Sequence, residues 1–330
     1  VVLLALLVAA CTSLTDPVVG SSRAELFDTM WKDFDLHYSF FDYKGIDWNS
    51  VRDKYRPRVL AASTDAVATT TIAAMLDELA DVHVAFYAGG RTYRWAARFD
   101  TLNTLFSPAA VALRYVAIKR SPSDRIRYGL AAPTVGYLWI RDFSGSGWAD
   151  EIDGVLADLP AATSVILDVR ENGGGDNLNG RAIAGRFAAQ RKVYAYVRYR
   201  NGPSHTAFTD YIAESVDPAG PKRFTGPVFV LTNRKCFSAT EDFVLAMKSL
   251  AATTVGDTTG GGSGSPLVRE LPNGWSYQFS EWIQYLPDRR TYEGVGLAPD
   301  VVVKPRATDP VRNIDLALER AIALAKAATP

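Results

Sequence analysis

From Arg23 to about Ala80 the apolar positions recur at spacings of three and four, as at Leu26, Met30 and Phe34, which predicts helices. Ile46-Asp47-Trp48 opens a second helix running toward Leu60, and Ser63-Thr64-Asp65 begins a third that ends near Leu79. After Asp81 the period shortens. Val84–Tyr87, Val111–Ile118, Ile126–Leu130 and Val135–Ile140 read as strands, with a local β extension over Arg91–Arg98 and Leu102–Phe106. Strand and helix then alternate: Ser164–Val169, helix Asn177–Gln190, Lys192–Arg198, Pro227–Leu231, helix Ser238–Leu250, Thr253–Val255, and a closing helix Val311–Ala327. Such alternation predicts an α/β domain with parallel pairing at its centre, and ligands then meet the chain just beyond the carboxyl ends of the strands. Arg170–Gly175 and Asn233–Ser238 take that position.

Charge and composition narrow the chemistry. Lys+Arg and Asp+Glu both total 36 in 330 residues, so no basic surplus exists to neutralise a nucleic-acid backbone. Two cysteines cannot build a disulfide framework or a four-cysteine zinc site, and three histidines argue against a His-rich metal centre. The first ten residues, VVLLALLVAA, are apolar throughout but too short to span a bilayer, so they fit the hydrophobic region of a secretory signal. With no Met and no basic residues ahead of it, the signal reads as starting late. Val8-Ala9-Ala10-Cys11 is similar to a bacterial lipobox, which implies lipidation at Cys11 and export to a bacterial membrane facing periplasm or exterior. Residues 12–22 then form a polar tether.

Two segments could carry chemistry. In Asn233-Arg234-Lys235-Cys236-Phe237-Ser238-Ala239-Thr240-Glu241, a serine opens a helix with a backbone N–H free at the next residue, a geometry suited to a nucleophile and half of an oxyanion hole. The same Ser-x-x-Glu is a capping box, and on local sequence capping is the simpler role. Glu171-Asn172-Gly173-Gly174-Gly175-Asp176 is either a tight strand-to-helix turn or a backbone cradle for an anion. His37, His83 and His205 are equal candidates for a base. Cys236 fits a small buried position.

Taken together, these segments resemble the serine peptidases that include C-terminal processing proteases, the tricorn protease core and the interphotoreceptor retinoid-binding protein. Trp31, Tyr38, Phe41 and Lys44-Gly45-Ile46-Asp47-Trp48 are similar to the family's N-terminal helical module. Leu79-Ala80-Asp81-Val82-His83 matches its Leu-x-Asp-Gly-His segment, with Val82 where glycine is usual, and Val135-Gly136-Tyr137-Leu138 its opening core strand. Leu167-Asp168-Val169-Arg170-Glu171-Asn172-Gly173-Gly174-Gly175 is the most family-specific run. Ser238-Ala239-Thr240-Glu241, Val255-Gly256-Asp257-Thr258-Thr259-Gly260-Gly261 and Glu293-Gly294-Val295-Gly296-Leu297-Ala298-Pro299-Asp300 follow in the family's order.

The resemblance implies a crotonase/ClpP-like spiral α/β protease core over 135–330. A three-helix module spans 23–82, and a β-rich connection spans 83–134, too short for the PDZ module many relatives insert. Gly262 stands where dyad-type relatives carry a lysine, so the implied site is the tricorn-like one. There Ser238 is the nucleophile, His83 the base and Glu293 its orienting acid, with Asp81, Glu241 and Asp257 as rival carboxylates. Gly173, Gly174 and Ala239 would form the oxyanion hole, peptides or proteins would be the substrates, and no cofactor would be required. A non-catalytic binding protein holding an apolar or peptide ligand is the alternative. A crotonase-like acyl-CoA enzyme would leave Ser238 and His83 without a role.

Overall fold

The computed structural model describes residues 21–96 and 101–328; Cys11, with its lipidation and signal reading, lies outside them. The chain opens with α1 (Arg23–His37), α2 (Phe41–Lys44), α3 (Trp48–Leu60) and α4 (Asp65–Asp77), followed by the hairpin β1 (Ala85–Ala88) and β2 (Arg91–Arg94). Next come α5 (Pro108–Arg114), β3 (Lys119–Arg120), β4 (Ile126–Ala132), β5 (Val135–Ile140), α6 (Trp148–Ala157), β6 (Ser164–Asp168), α7 (Asn177–Ala184), β7 (Lys192–Tyr199) and β8 (Ile212–Val216). The chain ends with β9 (Val228–Thr232), α8 (Ala239–Ser249), β10 (Thr253–Gly256), β11 (Pro266–Glu270), β12 (Ser276–Ser280), β13 (Trp282–Tyr285), β14 (Val301–Val302) and α9 (Leu316–Ala328).

The protein is an α/β molecule built on a seven-stranded sheet in the order β14-β10-β9-β6-β5-β4-β3. Its five strands from β14 to β5 are parallel, and β4 and β3 add an antiparallel edge. The central strands are apolar on both faces because both faces are covered. Leu138, Leu167 and Val230 pack on α6, α7 and α8, whereas Tyr137, Ile166 and Phe229 pack toward α9. A second core lies under α1, α3 and α4. There Phe34, Tyr38, Phe41 and Trp48 meet Tyr277 and Phe279 of a four-stranded sheet, β11-β12-β1-β2.

Two expectations fail locally. Val111–Ile118 is not a strand: Ser107 accepts the Ala110 N–H as an N-cap and Pro108 sits in the first turn, so α5 forms instead. Over 101–104 the chain makes a 3₁₀ turn rather than β structure. The stretch 83–134 is therefore only partly β, and its β3 and β4 belong to the core sheet.

Candidate active site

The turn after β9 brings Ser238 to the N-terminus of α8. The serine has φ 59° and ψ −125°, a backbone conformation that a side chain adopts only under local constraint. The constraint comes from bonds on either side. Phe237 N–H donates to the Asn172 carbonyl (3.2 Å), Thr240 N–H to the Phe237 carbonyl (3.2 Å), and Ser238 N–H to Glu241 Oε2 (3.2 Å). Asn172 is fully buried and ties the glycine segment to this turn. Its Oδ1 accepts from Gly174 N–H (2.9 Å) and from the Thr240 hydroxyl (2.7 Å).

Gly174 lies flush against the Ser238 turn. A Cβ there would come within 2.9 Å of the Phe237 carbonyl and of Ser238 Cβ, and its φ of +107° also favours glycine. Because its N–H is already donated to Asn172, Gly174 does not offer the oxyanion donor expected of it. Ala239 N–H has no protein partner among the described residues, and neither does that of Gly173 or Gly175. Gly175, Ser238 and Ala239 share the wall of a small open cleft with Trp282, Gln284 and Tyr292.

His83 approaches from the helical side. Its loop is fixed by Asp81, whose Oδ1 accepts the His83 N–H (2.8 Å) and whose Oδ2 accepts the Tyr38 hydroxyl (2.8 Å), and by Gln278, which donates to the His83 carbonyl (2.9 Å). The imidazole is buried, with both ring nitrogens free of hydrogen bonds, and rests 4.8 Å from the Phe237 ring centroid. Burial lowers its pKa below the usual histidine value, opposed by the Asp81 carboxylate. The ring is therefore neutral at neutral pH and able to accept a proton.

Glu293 is buried in the loop after β13, where Oε2 accepts from the Ser263 N–H (2.8 Å) and hydroxyl (3.2 Å) and Oε1 lies 3.4 Å from Lys44 Nζ. Burial pushes its pKa up to about 8. Ser263 main chain borders the imidazole too, so Glu293 and His83 meet through one residue. No hydrogen bond joins His83 to Ser238 or to Glu293 in this arrangement.

The rival groups stand elsewhere. The carboxylate of Glu241 accepts from Ser238, Gly261 and Gly262 N–H groups and from the Thr259 hydroxyl, which fills its capacity. Asp257 directly follows β10, bonded through its main chain to Thr232, and lines a separate crevice with Asn103 and Asp309. His37 pairs with Asp33, and His205 bonds to Asp35 (2.9 Å) and stacks on Phe41. Gly262 packs its Cα on the Phe237 ring; a Cβ would fall 1.9 Å from Cζ, which leaves no room for a lysine. The buried Cys236 thiol donates to the Val169 carbonyl, and burial drives its pKa far up, as suits a structural residue.

The model of peptidase family S41 matches residues 134–303, and that of the tricorn protease C1 domain matches residues 21–76. The chain belongs to peptidase family S41. The crystal structure of a candidate peptidase from Parabacteroides merdae is 32% identical, with a TM-score of 0.82 over 92% of this chain and 96% of that one. The photosystem II D1 C-terminal processing protease is similar in fold, with 17% identity and a TM-score of 0.56 over 87% of this chain and 94% of that one. The tricorn protease gives 16% identity and a TM-score of 0.60 over 93% of this chain but 37% of its own. No curated protein matches the chain. The S41 assignment makes this a serine-peptidase family member with an α/β protease fold, and it covers the segment holding Ser238 and Glu293. His83 lies outside both matched ranges. Sequence reasoning did not assign Asn172, Phe237, Thr240 or Lys44 any role, because what they do depends on segments that meet only in the fold.

Proposed function

We propose that the protein cleaves peptide bonds through an acyl-enzyme on Ser238. The observation carrying this reading is a serine held at φ 59° beside the unpartnered Ala239 N–H, with a neutral, unbonded imidazole one residue away across Phe237. His83 takes the hydroxyl proton as Oγ attacks the carbonyl and returns it to the leaving amine; water then attacks the ester in the reverse sense. The N–H groups of Ala239 and Gly175 face the developing oxyanion, each worth about 3 kcal/mol in comparable sites. Glu293, in its ionised form and acting across Ser263, stabilises the imidazolium. Substrate closes the remaining gap between Oγ and the ring, since catalytic hydrogen bonds often tighten only in the complex.

The separation of His83 from Ser238 favours a second reading, a binding protein on the S41 fold. A fluorophosphonate probe decides between them. Label mapped to Ser238 and absent in Ser238→Ala and His83→Ala establishes the peptidase, whereas a folded protein taking no label, even with added peptides, supports the binder. From the sequence alone we further infer export and anchoring through Cys11. Acyl-chain labelling in cells that persists in Cys11→Ser would refute it.

A further inference from the structure

The Lys44-Gly45-Ile46-Asp47-Trp48 run has no part in the chemistry above, yet the fold carries its lysine to the site. Gly45 ends α2 in the left-handed region, at φ 63°, leaving Lys44 at the last turn. The Lys44 ammonium, on a side chain only 14% exposed, donates to the carbonyls of Leu79 (3.1 Å) and Ala80 (3.2 Å). These belong to the loop that delivers His83, and Ala80 itself is held at φ 44°. The same ammonium lies 3.4 Å from Glu293 Oε1 and 3.7 Å from Asp81 Oδ2. Two buried carboxylates thus share one cation, and that cation is seated on the histidine loop.

We propose that Lys44 is a positioning residue for the acid–base pair: its charge favours the carboxylate form of Glu293 over the protonated one, and its two carbonyl bonds lock the His83 loop to the core side of the site. The inference rests on the peptidase reading for its effect on rate, but not for its effect on Glu293. The charge argument is direct. Two carboxylates in one desolvated space repel, and one must take up a proton unless a cation intervenes. Burial and Asp81 both push the Glu293 pKa up, and Lys44 pulls it down. The other groups facing Glu293 do not replace it. Glu241 is a further negative charge, Tyr38, Tyr43 and Tyr292 are neutral phenols, and the Tyr43 hydroxyl bonds the Glu293 main-chain carbonyl. Only the ionised form of Glu293 stabilises an imidazolium, so loss of Lys44, which reduces the ionised fraction at a given pH, slows proton transfer to His83.

The test separates charge from simple pinning. Lys44→Gln keeps N–H donors for the two carbonyls and removes the charge. The titration of Glu293, followed by carboxyl carbon NMR and assigned by its absence in Glu293→Gln, is expected to move up by about one pH unit or more in Lys44→Gln. Adding Asp81→Asn removes the competing carboxylate and is expected to bring it back. Lys44→Arg, which keeps the charge, should hold the midpoint near wild type whatever its rate. The fluorophosphonate rate at neutral pH is expected to fall about tenfold or more in Lys44→Gln and to recover at higher pH. An unmoved Glu293 midpoint in Lys44→Gln, or a shift that Asp81→Asn fails to reverse, overturns the proposal. If wild type takes no label, the peptidase reading fails while the Glu293 titration still decides the role of Lys44. Should Lys44→Gln not fold, a Lys44→Arg midpoint displaced from wild type overturns it instead.

Discussion

At the scale of single residues, Glu293 sets a conflict between stability and activity. Its carboxyl group has an ordinary pKa of 4.5 and is pushed by burial up to about 8. Between these values the folded protein binds a proton that the unfolded chain has released, so folding stability declines as pH rises through the window. Glu293→Gln has no such proton to bind. Urea midpoints measured from about pH 5 to about pH 8 should therefore fall less steeply in the variant than in wild type, while above about pH 8, where wild-type Glu293 is ionised, Ser238 labelling in the variant is about tenfold or more slower for want of a carboxylate. Parallel slopes would show that Glu293 is ionised throughout and that its burial is offset by donors. Gly174→Ala probes the opposite wall. The added methyl meets backbone atoms of Phe237 and Ala239 in a φ region alanine resists, with no flexible side chain to yield. A stability loss of about 1–3 kcal/mol is expected, with labelling reduced more than the fold is weakened, because the displaced atoms carry Ser238, the proposed nucleophile. Retained labelling at lowered stability would place the strain away from Ser238.

Elements join these residues through the strand ends. Arg170 leaves β6 and is buried between Asp168 (Nε to Oδ1, 2.9 Å) and Asp315 at the start of α9 (2.8 Å and 2.7 Å), under the Phe106 ring. Removing it strands two buried carboxylates, so Arg170→Met is expected to cost about 3–5 kcal/mol by urea denaturation. The double change with Asp315→Asn should cost less than the single one, and an additive result would deny that the two form a unit. These central strands are the part of the fold most legible in the sequence. Val165-Ile166-Leu167 and Val228-Phe229-Val230-Leu231 are continuous apolar runs because both faces are covered, and the motif residues at their ends follow by chain order. Where patterning misleads, a competing local signal wins. The valines at 111 and 116 suit a strand, but the Ser107-Pro108 cap starts a helix whose short length hides its period. Strands β11 to β13 left no clear trace, since β12 is defined by pairing with β1, nearly two hundred positions earlier. The candidate site was legible only as residue types at the ends of elements, with Ser238 standing where the sequence places it, at the start of α8. Phe237 packing on His83 and Lys44 bridging two carboxylates were not, because nothing local to either segment specifies its partner.

For the whole molecule, the consequence is that neither half of the chain completes its own structure. Phe279 and Tyr277 of β12 sit against Phe34 of α1, with ring centroids 4.4 Å and 5.6 Å apart. Ser39 just beyond α1 bonds the Ser280 carbonyl through both its N–H and its hydroxyl. Arg200, following β7, reaches back to the carbonyls of Asp35, Leu36 and Tyr38 at the end of α1. That end of α1 also supplies the Tyr38 hydroxyl to Asp81, so the anchor of the His83 loop and the latch to the core are a few residues of one segment. A fragment starting after residue 96 would lose β1 and β2, leave β12 with one open edge, and expose the aromatic face that α1 covers. Exposed apolar area of this kind together with an unpaired strand edge promotes association. The fragment is expected to elute as an aggregate in size-exclusion chromatography and to bind a hydrophobic dye. Co-expression with residues 21–96 as a separate chain should restore a soluble complex, because the interface is aromatic packing and strand pairing that need no covalent link. A soluble, monomeric fragment with a native-like near-ultraviolet spectrum would show instead that the core is complete alone and that the helical module serves only to deliver His83.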